Sequence, residues 1–391
     1  MICLAAMISL AVAMGVGRFA FTPLLPLMVR DGLLTTEAGA LLAASNYLGY
    51  LLGALVAARV RLKPTTLLGL GLISTVAVTG AVAGTSSVPA WALLRFLAGV
   101  FSAWTLVATT TWALAWLSSL GRPHLAGIVF AGVGLGIAAA GVFCLVAARP
   151  GISAGILWAE LAALTGVATL FPLIVSWSHP APKTSAQGGV SQRLHREAPS
   201  DTSGLVVCYS LFGFGYILPA TYLPELARQL IDDPQIFGWA WPVFGMAAAI
   251  STVIVSWGLR RFNRLHVWAT SHALMATGVL LPSIWASLTS IVIAAVLVGG
   301  TFMVITMIAM QEARARAEEN ATFILAWMTA GFAFGQLMGP VASAALGWLT
   351  ADYTTALNYA LVLAAVGLIA STVYLWREVR RQNHVRAHCH G

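Results

Sequence analysis

Charge is what this sequence has least of. Only 9% of its 391 residues are charged, while 59% are apolar and the mean hydropathy is +0.86. A soluble domain carries about a quarter charged residues, so this chain cannot coat a globule with polar surface. Its solvent is expected to be lipid. Cysteine is scarce as well: Cys3, Cys144, Cys208 and Cys389 are scattered, which excludes a disulfide framework. The 13 acids gather nowhere with histidine as hydrolytic or transfer chemistry at a membrane face would require, which argues against an enzyme such as a lipid-modifying transferase. No nucleotide loop is present, since Gly132-Val133-Gly134-Leu135-Gly136 has neither a Lys-Ser/Thr after it nor a strand before it. The short alternating strands of a membrane β-barrel are missing too.

What is present is a series of long apolar runs. A membrane-crossing helix needs about 20 mainly apolar residues. Such runs fall at 2–28, 37–58, 65–84, 90–117, 125–147, 152–176, 204–227, 236–258, 266–284, 289–310, 321–345 and 355–376. These predict an all-α membrane protein of twelve spans. Basic residues accumulate on cytoplasmic loops. With the N-terminus inside, sixteen fall on that side, among them Arg59, Arg61, Lys63, Arg260, Arg261, Arg264, Arg314 and Arg316; only Arg30, Arg149 and Arg228 fall outside. Both termini are therefore expected in the cytoplasm, in a plasma (bacterial inner) membrane. The net charge of +8 reflects this topology and not an affinity for nucleic acid. The opening MICLAAMISL lacks a basic front and a cleavage site, and reads as the first span. His388-Cys389-His390 reads as a solvated tail, so neither a metal nor a cofactor is expected.

Residues 177–203 are rich in Ser, Pro, Gly and charge, and read as a cytoplasmic linker. They divide a six-span bundle at 1–176 from another at 204–376, with a tail at 377–391. The halves resemble each other. Gly15, Gly17 and Leu25-Pro26 recur as Gly213, Gly215 and Leu223-Pro224; Leu97-Ala98-Gly99 recurs as Leu297-Val298-Gly299; Gly132 and Gly136 recur as Gly331 and Gly335. Offsets of 198 to 200 in chain order are the trace of a duplicated transporter.

The segment GVGRFAFTPLLPLM, followed by ASNYLGYLLGAL, closely resembles the first two helices of YbfB/YjiJ-type members of the major facilitator superfamily, and the whole chain is similar to that superfamily. The resemblance implies a cavity lined by spans 1, 4, 7 and 10, with spans 3, 6, 9 and 12 as outer supports. It also implies that Arg95-Phe96-Leu97-Ala98-Gly99 corresponds to the Arg-x-x-x-Gly motif associated with proton coupling. The sequence departs from the family in two places. Ala57 stands where the latch between spans 2 and 3 usually has Asp, and the Gly-Pro of the antiporter motif appears in span 11, as Gly339-Pro340.

Charges inside a helix bundle are costly and mark function or pairing. Arg18, Arg95 and Glu160 lie at similar depth, close enough to form one site. The second half has Tyr216 and Ala295 in place of the arginines. Arginine holds carboxylate or phosphate in a fork and stays protonated. Arg18 is thus a candidate anion binder, against the alternative of an internal pair with Glu160. Arg95 and Gly99 are assigned a conformational role, and Glu160 that of a titratable proton carrier. Helical spacing adds Asn46 and Tyr50 on span 2, Tyr209 and Tyr216 on span 7, and Gln336 on span 11 as substrate-facing candidates. His272 sits on a support span, and Glu225 near a helix end. The expectation is a monomeric, proton-coupled secondary transporter of a small organic anion. The alternatives are an exporter of hydrophobic or cationic compounds, and a non-transporting sensor on the same fold.

Overall fold

The computed structural model describes residues 1–147, 151–182, 202–228, 234–259, 261–285, 287–317, 321–350 and 353–389. Twelve helices long and apolar enough to cross a membrane make up this part of the chain, with no strand among the described residues. They are α1 (Ile2–Arg30), α2 (Thr36–Arg59), α3 (Pro64–Ala83), α4 (Val88–Ser119), α5 (Ala126–Ala147), α6 (Ala154–Ser178), α7 (Ser203–Arg228), α8 (Pro234–Gly258), α9 (Arg264–Ile284), α10 (Leu288–Arg316), α11 (Ala321–Thr350) and α12 (Tyr353–Cys389). Most of the 177–203 linker lies outside the described residues, as do the side chains of Leu223, Pro224, Glu225, His388 and Cys389.

Local chemistry marks the helix starts. Thr35, Ser153, Asn263 and Ser287 place a side-chain oxygen on an early N–H of α2, α6, α9 and α10. Proline opens α3 and α4, where its missing N–H costs nothing. An even number of spans puts both chain ends on one face, here the terminal face, opposite the far face.

The packing repeats with a step of six helices. In the first half α2 and α3 pack on α4, α3 on α6, and α1 on α5 and α6; in the second, α8 and α9 pack on α10, α9 on α12, and α7 on α11 and α12. The halves join along two seams, α2 with α11 and α5 with α8, which exchange under the same step. The matched glycines explain the packing within each half. A Cβ on Gly132 or Gly136 would strike the backbone of α1 at Met7 and Ala11, and one on Gly331 or Gly335 would strike α7 at Val206 and Ser210. Gly99 likewise seats against the backbone of Asn46 and Tyr50 on α2, and Gly299 against Phe244 on α8. Small residues let membrane helices approach this closely, where dispersion replaces the hydrophobic effect.

The halves differ in their first helix. α7 is continuous from Ser203 to Arg228. α1 is interrupted: α-helix to Leu10, a π-helical stretch Ala11–Val16, a turn, then α-helix again from Phe21. Gly17 and Phe19 donate five residues back, to Val12 at 2.9 Å and Met14 at 3.1 Å. The prolines of α1 predict a bend at its outer end; the break instead runs from Ala11 to Ala20, ahead of both prolines, and contains Gly15, Gly17 and Arg18.

Candidate binding site

Two arginines sit at the break in α1, and their surroundings divide their roles. Arg95 of α4 donates from Nη1 to Gly17 O at 3.0 Å and from Nη2 to Arg18 O at 2.9 Å, with Phe21 under its guanidinium at 4.7 Å. Ser102, seven residues on, shares its hydroxyl hydrogen between Ala13 O at 2.8 Å and Ala98 O at 2.6 Å. In lipid, carbonyls released by a broken helix need new donors. Arg95 and Ser102 supply them, so Arg95 staples the interruption. Asn46 extends this scaffold by donating from Nδ2 to Arg95 O at 2.9 Å, and Gly99 allows the contact. The Nδ2 of Asn46 is thus spent on α4, while its Oδ1 is buried without a partner.

Arg18 points the other way, into the joint between the halves. It is 2% exposed, and its Nη2 donates to Gln336 Oε1 of α11, a hydrogen bond that crosses from one half to the other. The guanidinium lies 3.9 Å from the centroid of the Tyr50 ring, with Phe19, Tyr47 and Phe332 within 6 Å. Beyond them α7, α8 and α10 contribute an aromatic wall. Tyr216 stacks on Phe302 at 4.2 Å and 9°, Phe302 meets Phe19 edge-on, Trp241 stacks on Phe244, and Tyr209 stacks on Phe332. Tyr50, Tyr209, Tyr216 and Gln336 are all essentially unexposed, so the cluster is occluded.

The polar atoms left over here point to a ligand type. One acceptor, Asn46 Oδ1, is buried without a hydrogen-bond partner, and so are the donors Arg18 Nε, Arg18 Nη1, Arg95 Nε, Gln336 Nε2 and the Tyr50 and Tyr216 hydroxyls. Each of these donors carries a hydrogen to donate. A buried donor left unmet costs about 1–3 kcal/mol, so the cluster has an unfilled demand for acceptors. Among the described residues the one buried carboxylate is Glu312, at the terminal end of α10, about 15 Å along that helix from Phe302. It is committed to Arg264 at 3.0 Å and Arg316 at 3.0 Å, with Arg316 also 3.7 Å from Glu378.

Glu160 does not join the arginines. It lies on the exposed surface of α6, because its helix turns Leu157, Trp158 and Leu161 inward and leaves position 160 outward. Similar depth along neighbouring helices put three charges at one level; the rotation of α6 about its axis separated them. His272 is fully buried in α9, where its Nε2 accepts from Trp268 Nε1 at 2.9 Å and its ring stacks on Phe212. The structure thus brings Arg18, Tyr50, Tyr216 and Gln336 together, with Tyr209 one ring away. Phe19, Phe302 and Phe332 escaped the sequence reading. Phe332 lies four residues before Gln336 on α11, so helical spacing from that glutamine would have found it.

The terminal face is shut. Gln311 donates to Pro123 O at 3.2 Å, Arg314 to Thr111 O at 3.4 Å and Ser256 to His124 O, each bond crossing between halves. Residues 105–114 of α4 and 301–313 of α10 are buried on every side. On the far face Asp31 accepts from Ala154 N–H at 2.7 Å and pairs with Arg30 at 2.8 Å, tying the end of α1 to the start of α6.

Comparison with known proteins identifies the family and the fold. Residues 10–375 match the family described as uncharacterised MFS-type transporter YbfB. The fold matches the crystal structure of the human organic anion transporter MFSD10 (TETRAN) with a TM-score of 0.69, at 15% identity, over 96% of this chain and 97% of that one. No curated protein sequence matches.

Proposed function

Because this chain is a multi-pass membrane protein that belongs to the YbfB-type family of major facilitator superfamily transporters, we propose that it moves a small organic anion by alternating access, with Arg18 as the anchor. The observation that carries this reading is the set of unmet donors around Arg18, opposite which no acid stands among the described residues. A carboxylate offers two oxygens to the free edge of the guanidinium, and the aromatic wall takes its apolar body. The organic-anion title of the structural match is in keeping with this, at an identity that speaks for the fold alone.

The closed terminal face fits a carrier whose cytoplasmic gate is shut. The orientation rests on the basic residues clustered at that face, including Arg59, Arg61, Lys63, Arg264 and Arg316. On this reading the protein works as a monomer in a bacterial inner membrane. A proton gradient as driving force lacks its expected carrier in the core, since Glu160 lies outside it.

The aromatic wall supports one other reading, export of a hydrophobic cation. Arg18 opposes it, as a cation would be buried beside an unneutralised charge. Thermal unfolding of the purified protein separates the two. A ligand at ten times its dissociation constant adds roughly 1.4 kcal/mol of stability. Phenylglyoxylate should stabilise the wild type, fail with Arg18→Ala, and act weakly with Arg18→Lys, which keeps the charge but loses the fork. Stabilisation by tetraphenylphosphonium, unchanged in both variants, would reverse the assignment. Stabilisation by an anion without flux in proteoliposomes would make the protein a sensor.

A further inference from the structure

The residue that meets Arg18 across the joint is an amide. A glutamate at position 336 would neutralise the buried guanidinium; Gln336 accepts one hydrogen bond and leaves the positive charge in place. Among the described residues nothing else cancels it, because Arg95 is a second cation and Glu312 is held by Arg264 and Arg316. Arginine does not shed its proton. The occluded cluster therefore carries a net positive charge, enclosed by Phe19, Tyr50 and Phe332.

We propose that the protein is an anion exchanger for aromatic monocarboxylates, in which the bound carboxylate is the missing counter-ion of Arg18. This rests on the anion reading above and extends it to substrate class and driving force. Occluding an uncompensated charge in a low-dielectric joint is unfavourable, and a paired charge much less so. The loaded carrier accordingly reorients faster than the empty one, and each crossing returns with an anion. A single carboxylate is called for, since the other core arginine, Arg95, spends both Nη1 and Nη2 on α1 carbonyls and offers no second fork. An aromatic body is called for by the stacked rings of Tyr216, Phe302 and Phe332. Gln336 is then a specificity-determining residue: its Nε2 is free to donate to the same carboxylate, and its neutrality keeps the site dependent on that ligand.

The test measures uptake of radiolabelled phenylglyoxylate, an aromatic acid that stays ionised at neutral pH, into proteoliposomes, with protein-free liposomes as baseline. Unlabelled phenylglyoxylate inside should raise the initial rate several-fold over vesicles without it, while an inward proton gradient imposed on the latter should not. Gln336→Glu should remain folded, unfold at a higher temperature than the wild type without ligand, and lose both phenylglyoxylate binding and exchange. Succinate inside should stimulate little. Proton-driven uptake as fast in empty as in loaded vesicles would overturn exchange and leave the anion reading standing. Full binding and exchange in Gln336→Glu would overturn the role of Gln336. Absence of phenylglyoxylate binding to the wild type would overturn the substrate class, and with it the anion site if no other anion stabilised the protein.

Discussion

The two halves of this molecule share one packing scheme and put it to different use. Both press glycines of the fifth helix into the first, both pack the second on the fourth, and each offers the other the same two seams. Yet the first half breaks its leading helix and places a cation at the break, while the second keeps α7 continuous and presents Tyr209 and Tyr216. At the terminal face the contrast is reversed. The second half holds an ion-paired cluster of Arg264, Glu312, Arg316 and Glu378, whereas the equivalent loop of the first has Ala57 and basic residues with no ion pair among those described. Duplication preserved what close packing demands and left free what it does not.

The largest effect should come from breaking what the halves share. Gly136→Leu and Gly335→Leu each push side-chain atoms into a neighbouring backbone, and both should abolish recovery of monodisperse protein on size-exclusion chromatography. Survival of one but not the other would show that the equivalence of the halves is only formal. Next comes the terminal cluster. Glu312→Gln leaves the buried Arg316 with Glu378 at 3.7 Å as its remaining partner and should cost up to about 3 kcal/mol in stability. Lys63→Gln, in the corresponding loop of the first half, should cost less than ~1 kcal/mol. Similar losses in a denaturation series would reveal a partner for the basic loop.

Arg95→Leu sharpens the contrast between broken and continuous first helices. It removes two charge-assisted bonds to α1 carbonyls, about 3 kcal/mol at roughly 1.5 each. Hydrogen exchange should rise in residues 11–21 and stay unchanged in the corresponding part of α7. The smallest effect concerns the far-face tie. Partial burial would raise the Asp31 carboxyl, but the Ala154 N–H and the Arg30 guanidinium outweigh it and hold it below the usual carboxylate range. A group lowered in the folded state contributes stability above its unfolded value, near 3.9, and loses it as pH falls through the folded one. Wild-type stability should therefore decline below about pH 4 more steeply than that of Asp31→Asn, with a difference of about 1 kcal/mol at neutral pH.

Much of the architecture was legible in advance because lipid leaves few choices: a segment that must satisfy its own backbone in hydrocarbon is a helix, and its length is set by the bilayer. Repeated glycines marked the duplication because only glycine tolerates such approach. Arg18 and Gln336 stood out individually, since polar groups are expensive in a span. Their pairing did not, as they lie 318 positions apart on different halves. Asn46 and Glu160 show the limit. Spacing gives depth along a helix, yet which way a helix turns about its axis depends on what its neighbours offer, and α4 claimed the Nδ2 of Asn46 while α6 turned Glu160 outward.

The amino-acid sequence thus determined that this is a membrane protein of twelve helices in two related halves with rare cations in its core, because composition and periodicity answer directly to the solvent. Only the tertiary structure decided that one cation repairs a broken helix while the other waits in an aromatic joint beside a neutral amide. Both are arginines in apolar helices; what separates them is which donors and acceptors folding brings within about 3 Å.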